Sequence, residues 1–358
     1  MQEGYWTAGI DIGVEVTQVS YMTEGMTEPV TLDTLFETGK DISFIKNCIL
    51  AIPGLEDPAL LGGIDIILPE FTLEAAEKVK QACIKMGIAE EKIHLQGVEE
   101  ASIYFALSQE RSLWNNDVIF FDFSKEGLIY RSLHIEKQSN GSIVTKLISE
   151  SVEGIDFKEP SDEVFLQLAR ARMDRRLISA VYLIGEGFYK EEWAKESLKY
   201  LCSRRRVFMG LNLYTRGAAF AAYDRIHSRA YDHVLFLCKN RLLVSVGLLV
   251  VCQGEEKLLY LAKAGTNWHE VKADIEAIPD EISEITLVLQ SLKGEQSKEK
   301  VSLENFPKRE RRMTRLEIQL SFLSEEYGVL TIKDLGFGSL IKPSEAIVKK
   351  NIWVRKRA

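Results

Sequence analysis

Short apolar runs punctuate the first part of the chain at "YWTAGIDIG", "EVTQVSYMT" and "PVTLDTLFE", and their alternation predicts three strands in succession. A helix is expected through "DISFIKNCILAI", opened by Asp41 or Ser43, followed by a buried strand at "GIDIILPE". In "TLEAAEKVKQACIKMGI" the apolar positions Ala76, Val79, Ala82, Cys83 and Met86 recur at helical spacing. Thr72 is placed to cap that helix and Gly87 to stop it. A short strand "KIHLQG" and a helix "VEEASIYFALSQER" complete this part.

The pattern then restarts. "VIFFDFS" reads as an apolar strand, "KEG" as a turn and "LIYRSLHIEKQ" as a return strand. "NGS" at Asn140–Ser142 is a hairpin signal, and "IVTKLISES" pairs back. A helix "SDEVFLQLARARM" starting at Ser161 or Asp162, a buried strand "SAVYLIG" and a helix "KEEWAKESLKYLCSR" follow. The last helix, "LYTRGAAFAAYDRIH", carries Gly217, Ala218, Ala219, Ala221 and Ala222, a small-residue face suited to close helix packing. Each half thus has three meandering strands, then helix, strand, helix, which is an internal repeat of layout. From about residue 232 strands dominate: "HVLFLC", "LLVSVGLLVVC", "LLYLAKAG", "HEVKADIEAI", "EITLVLQSL", "RLEIQLSFLS" and "GVLTIKDLG". They predict an antiparallel sandwich with no long helix after it. The expected domains are 1–112, 113–230 and 231–358.

Composition narrows the function classes. A chain of 358 residues, 46% hydrophobic and 27% charged, has the balance of a folded protein with two or three domains. A net charge of −8 argues against a general nucleic-acid or membrane-surface binder. No early segment has the features of a signal peptide, and "LLVSVGLLVVC" is too short to span a bilayer, so a cytoplasmic location is expected. Cys48, Cys83, Cys202, Cys238 and Cys252 are odd in number and scattered, the pattern of reduced core thiols. The five histidines show no ligand spacing with cysteines or carboxylates, and no Ser/His/Asp or Cys/His arrangement has local support. No metal site and no catalytic residue are expected. The basic clusters "RARMDRR", "SRRRV", "KRERR" and the tail "VRKRA" read as solvated surface, with the Lys308–Arg312 loop the place where a local anionic partner would bind.

Two halves, each opening on a hairpin, resemble the actin, hexokinase and heat-shock ATPase superfamily. The closer likeness is to the seventy-kilodalton heat-shock chaperones, in degenerate and truncated form. "GIDIG" and "VIFFDFSKEGLIYRSL" resemble that family's two phosphate hairpins. "IDIILPEFTLEAAEKVKQACIKMGI" resembles its strand-then-helix segment, and "VEEASIYFAL" sits where its connecting helix belongs. "VYLIGEGF" resembles its adenosine loop, and "LEIQLSFLSEEYGVLTIKDLGFG" the end of its peptide-binding β-domain. The resemblance implies duplicated actin-like (ribonuclease H-like) α/β lobes followed by an antiparallel β-sandwich. It also implies that a nucleotide would face Asp11, Gly13, Asp122, Gly185 and Gly187, with Asp11 orienting the water shell of a magnesium ion.

The departures change the functional expectation. Phosphate hairpins use small residues so that backbone N–H groups reach the anion. Here Val14, Glu15 and Val16 follow Gly13, Ser124, Lys125 and Glu126 replace the second Gly-rich turn, and Glu186 separates Gly185 from Gly187. The family's acidic residue of the second hairpin aligns with Ile129, while Glu99 or Glu100 could supply the one in the connecting segment. A carboxylate about 4 Å from a phosphate charge costs roughly 4 kcal/mol at an effective dielectric of 20. The family's wall-forming insertions are also reduced. The expected function is therefore a non-catalytic, chaperone-like binding or scaffold protein that recognises a peptide or protein partner, without a cofactor. The residues of "LLVSVGLLVVC" are candidates for that recognition. The alternative is a divergent ATP-binding protein or weak ATPase with Mg-ATP between the lobes.

Overall fold

The structure is a computed structural model that describes residues 6–39, 42–139, 141–189, 193–280 and 283–354. Asp41, Asn140 and the end of the basic tail lie outside the described residues. The chain divides into two compact units, Met1–Lys239 and Asn240–Ala358.

The first unit holds two sheets built on one plan. In the first, β1 (Trp6–Ile12) and β2 (Val16–Thr23) form an antiparallel hairpin, with β3 (Val30–Thr31) and β4 (Phe36–Glu37) both on β2. On the other side β1 pairs in parallel with β5 (Leu61–Ile67), and β5 with β6 (Ile93–Gln96). In the second, β7 (Asp117–Ser124), β8 (Gly127–Lys137) and β9 (Ile143–Val152) make the meander. There β7 pairs in parallel with β10 (Ile178–Ile184), and β10 with β11 (Arg206–Gly210). A meander whose first strand carries two parallel strands, made twice, is the actin-like, ribonuclease H-like α/β lobe in duplicate.

Local chemistry sets the helices. In α2 (Leu73–Lys85) the Thr72 hydroxyl accepts from the Ala75 N–H at 3.1 Å, and Gly87 ends the helix at φ +88°. Ala76, Val79 and Cys83 are its buried face. α1 (Phe44–Leu50) follows Ser43, which caps it without a side-chain hydrogen bond. α4 (Asp162–Met173) is capped by the Ser161 hydroxyl, and the Asp162 carboxylate in turn accepts from two N–H groups at the start of α5 (Lys195–Leu201).

The last helix of each half packs across to the other half's sheet. α3 (Val98–Ser108) is buried from Glu100 through Leu107, and Ile103, Tyr104 and Phe105 join Val118, Phe120 and Tyr182 of the second sheet in one cluster. α6 (Leu213–Tyr223) lies on the first sheet so closely that a Cβ on Gly9 of β1 would fall 2.1 Å from the Ala219 nitrogen. The Thr215 hydroxyl donates to the Gly9 carbonyl at 3.0 Å. A Cβ on Gly217 would fall 2.1 Å from the Ala101 carbonyl oxygen of α3. The small-residue face of α6 therefore serves helix packing. One turn of π-helix, Asp224–Ser228, extends α6 and carries Arg225 to Asp65 of β5 and to Glu100 of α3.

Two expectations are corrected here. "PVTLDTLFE" is two short strands, because Gln18 and Val19 of β2 face four residues, Leu32 to Leu35, and the ladder must break there. "HVLFLC" belongs to the second lobe and not to the sandwich: β12 (Val234–Leu237) pairs in parallel with β9 and buries Phe236 and Leu237, so this unit runs past residue 230 to Lys239.

The second unit is an antiparallel sandwich of two four-stranded sheets. One has the order β14 (Glu255–Ala262), β13 (Val244–Cys252), β16 (Glu284–Ser291), β17 (Gln296–Ser302). The other has the order β15 (Lys272–Ala277), β18 (Leu316–Phe322), β19 (Tyr327–Asp334), β20 (Ile347–Trp353). Val246, Leu248, Leu287, Ile318, Leu330 and Ile332 are among its buried residues. The strands β17 and β20 are absent from the sequence-based reading, because β17 is polar apart from Val301, β20 is interrupted by Lys349, Lys350 and Asn351, and both alternate only between exposed and half-buried for most of their length. All five cysteines are free; Cys48, Cys83 and Cys238 are buried, whereas Cys202 and Cys252 are exposed, against the expectation of core thiols. Among the described residues, no helix is long and apolar enough to cross a membrane.

The Gly217→Ala variant should lose about 3 kcal/mol or more in urea unfolding, because its methyl group meets fixed backbone. Gly210→Ala meets open space and should change stability by less than about 0.5 kcal/mol.

Candidate functional site

The two hairpins bring Asp11 and Asp122 to equivalent places. Asp11 stands one residue from the end of β1 and faces Gln18, and Asp122 stands near the end of β7 and faces Ile129. The hairpin tips meet, with Lys125 Nζ 3.5 Å from Glu15 Oε2, both groups exposed. Lys125 thus answers one of the acidic residues at the cradle.

Asp122 is held in a closed triad. Its Oδ2 accepts from Arg131 Nη1 at 3.0 Å and from the Tyr214 hydroxyl at 2.6 Å. Arg131 Nη1 also donates to the Tyr214 oxygen at 2.8 Å. Arg131 comes from β8 and Tyr214 from the first turn of α6, so the strand pairing and the crossing helix together assemble the three groups. The Arg131 side chain is 6% exposed and that of Asp122 16%. Burial alone would lower the Arg131 guanidinium, but Tyr214, Asp122 and Glu99 raise it above its ordinary value. Burial likewise raises the Tyr214 phenol well above its usual range, and the Asp122 charge adds to this.

Asp11 has no such donor. Among the described residues it makes no hydrogen bond; it feels Arg131 only through space. Burial, with the charge of Asp122, pushes its carboxyl up to about 7, against the pull of Arg131. The Gln18 Oε1 opposite is buried and without a hydrogen-bond partner. Of the alternatives in the connecting helix, Glu99 accepts from the Ser149 hydroxyl at 3.0 Å, while Glu100 turns to Arg225.

The glycines are explained by packing. The Gly13 N–H is engaged by the Val16 carbonyl at 3.1 Å inside its own turn. A Cβ on Gly185, whose φ is +91°, would fall 2.3 Å from the Phe123 carbonyl oxygen, and one on Gly187 would fall 2.3 Å from the Phe123 ring. That ring sits edge-on to Phe157, Phe188 and Trp193, and Trp193 Nε1 donates to the Gly187 carbonyl at 2.9 Å. Close approach of the turn to β7, under an aromatic cluster, requires both glycines.

A magnesium–nucleotide pair does not fit these residues as they stand. One carboxylate is already bonded to a permanent internal cation, the Gly13 N–H points into its turn, and both later glycines abut Phe123. Among the described residues, no group of three or more His, Cys, Asp or Glu could hold a metal ion. The Lys308–Arg312 loop is also committed internally. Arg309 forks onto the buried Asp334 at 2.7 and 2.6 Å, and Arg311 and Arg312 both hold Asp280. Burial would raise Asp334, but Arg309, Ser344 and Gly336 hold it well below the usual carboxylate range. Arg131 is the residue that sequence reasoning missed. Its signal was an arginine inside an otherwise apolar strand, "LIYRSL".

The raised Asp11 has a definite sign in stability. The native state holds this proton up to about pH 7, while the unfolded chain releases it near 3.8. Stability should fall as pH rises from about 4 to about 7, by up to about 4 kcal/mol, and level off above. Asp11→Asn should remove that slope and be the more stable protein at pH 8, with near equality at pH 4, as read from urea unfolding at each pH.

Comparison with known proteins agrees with the extent of the two units. Similar solved structures include the ethanolamine utilization protein EutJ from Carboxydothermus hydrogenoformans, with 17% identity over 60% of this chain and 89% of that one, at a TM-score of 0.38. The inorganic polyphosphate/ATP-glucomannokinase from Arthrobacter sp. strain KM has 12% identity over 62% and 100%, at 0.40. A Bacteroides thetaiotaomicron protein with an actin-like ATPase fold and unknown function has 11% identity over 60% and 95%, at 0.37. Likenesses of this extent do not bear on function. No curated protein matches the chain. Residues 241–354 match a domain of unknown function, DUF8552. Residues 37–239, more than half of the chain, match the C-terminal part of the family of unknown function DUF5716, and the protein belongs to that family.

Proposed function

We propose that this protein is a non-catalytic binding or scaffold protein, a chaperone-like relative of the heat-shock ATPases that keeps their frame and recognises a peptide or protein partner. The observation that carries this reading is the Arg131–Asp122–Tyr214 triad. A guanidinium that stays charged at every working pH takes up Asp122, one of the two carboxylates that the resemblance turns toward a nucleotide. Releasing Asp122 to a metal would leave Arg131 buried beside an added divalent charge, and breaking a buried pair costs about 3–5 kcal/mol.

Recognition of an extended partner falls to the sandwich. β14 is an edge strand, and an edge offers unpaired N–H and C=O groups for strand addition. Leu259 and Tyr260 on it and Leu249 and Val251 on the adjoining β13 are exposed, the last at 70%. Val251 lies in the run singled out in the sequence. The second reading, a divergent ATP-binding protein facing Asp11, Gly13, Asp122, Gly185 and Gly187, has one point in its favour, the Asp11 carboxyl without a hydrogen-bond donor.

A thermal melt of the full chain with 5 mM Mg-ATP decides between them. Occupancy at 100 times the dissociation constant would add about 2.7 kcal/mol. No shift is expected; a shift that is lost in Asp11→Ala would establish the ATP-binding reading instead. On an array of extended apolar peptides, Val251→Glu should reduce binding about tenfold at unchanged melting temperature. Unchanged capture would remove the sandwich edge from the function.

A further inference from the structure

We propose that the first unit binds a small planar organic acid, an aromatic ring carrying a carboxylate, in a cavity at the end of its sheets opposite Asp11 and Asp122. The cavity has a volume of about 380 Å³, within the range of small-molecule sites. The turn Thr27–Pro29 beyond β2, the C-terminal end of α3, β11 and α6 all contribute to its wall. Its place follows from register. Thr23 at the end of β2 pairs with Trp6 at the start of β1, and Arg206 begins the parallel strand β11, so these elements meet at the strand ends away from the hairpin tips.

Three observations define the ligand. The first is an aromatic tier. Phe120 of β7 stacks on Tyr182 of β10 at 5.4 Å, and Tyr182 stacks on Phe208 of β11 at 5.3 Å, with interplanar angles of 18° and 20°. Phe105 closes edge-on against Tyr182 at 5.3 Å. β11 is the edge of its sheet, so the tier ends at Phe208, which is 39% exposed and lines the cavity. A flat ring in the cavity would extend this series.

The second is a pair of arginines. Arg206 lies two residues before Phe208 on β11 and so on the same face. Arg216 stands 5.8 Å from the Phe105 ring centroid. Both line the cavity, and the Arg216 side chain keeps about a quarter of its surface exposed. Arginine beside a ring is suited to a carboxylate attached to an aromatic body.

The third is the exposure of the present partners. Arg216 pairs with Glu28 at 2.9 Å, and Arg206 donates to the Ser112 hydroxyl at 3.1 Å and pairs with Glu110 at 3.6 Å, while the two glutamates, which also line the cavity, are about four-fifths exposed and free to swing out to solvent. Exposed pairs of this kind are worth about 0–1 kcal/mol, so a ligand carboxylate can displace them at little cost.

Calorimetric titration of the full chain with indole-3-carboxylate, its neutral carboxamide and inorganic phosphate tests the assignment without any variant. The acid should bind saturably below 10 mM, and the amide and phosphate at least tenfold more weakly. No saturation by the acid overturns the site. Equal binding of the amide overturns the role of the arginines, and equal binding of phosphate that of the ring. Arg216→Gln and Phe208→Ala should each weaken the acid at least tenfold in variants that still melt cooperatively. Wild-type affinity in both folded variants would place the binding elsewhere and overturn the proposal. Mg-ATP does not enter this experiment, so its outcome is separate from the question of the nucleotide cradle.

Discussion

The exchange of helices between the two halves is the constraint on which the first unit depends. α6 can approach the first sheet only because Gly9 presents bare backbone, and can approach α3 only because Gly217 does, leaving contact distances that no side chain could occupy. This packing fixes where Tyr214 and Thr215 stand. The hydroxyl of one meets the Asp122 carboxylate of the second sheet, while that of its neighbour meets the Gly9 carbonyl of the first. Adjacent residues of one helix turn thus tie both lobes, and the polar centre follows from the packing of the small residues. Arg225, about three turns further along, closes the same junction by reaching β5 and α3 together.

Duplication makes the polar centre instructive. Asp11 faces Gln18 and Asp122 faces Ile129, so the position two residues further along the return strand is Ser20 in the first half and Arg131 in the second. Ser20 is short and bonds Thr31 at 2.8 Å, within its own meander. Arg131 is long enough to reach back to the carboxylate. Two halves with one topology therefore present different electrostatics: the Asp122 carboxyl group is bonded to Arg131 and Tyr214, whereas burial pushes the Asp11 carboxyl, which has no such donors, up to about 7.

Much of this architecture is legible in the sequence wherever the controlling chemistry is local. Thr72 and Gly87 bound their helix because capping involves neighbours a few residues apart. The repeat of strand and helix order is legible for the same reason. β17 and β20 were not, because at these sheet edges the inward positions are only half-buried and charged residues such as Glu299 and Lys350 stand there, which hides the period of two. β12 was assigned to the wrong unit because its four residues say nothing of whether β9 or β13 receives them. At the candidate site Asp11 and Asp122 could be picked from their turns. The role of Arg131 depends on a tyrosine 83 residues away, a distance over which spacing carries no signal. Gly185 and Gly187 were singled out through the resemblance as residues facing a nucleotide, whereas their contact with Phe123 comes from tertiary packing alone.

The pairing of β12 with β9 bears on how the chain can be divided. A fragment ended at residue 230 would lack the strand that covers β9, and the Thr145 hydroxyl would lose the Leu235 carbonyl to which it donates at 3.1 Å. The freshly uncovered border would be the four residues Ile143–Lys146 of β9, with the buried Ile143 among them, an invitation to intermolecular pairing. Carried to Lys239, the same fragment keeps its cover. Nine residues at a domain border thus decide whether that edge of β9 is covered or bare.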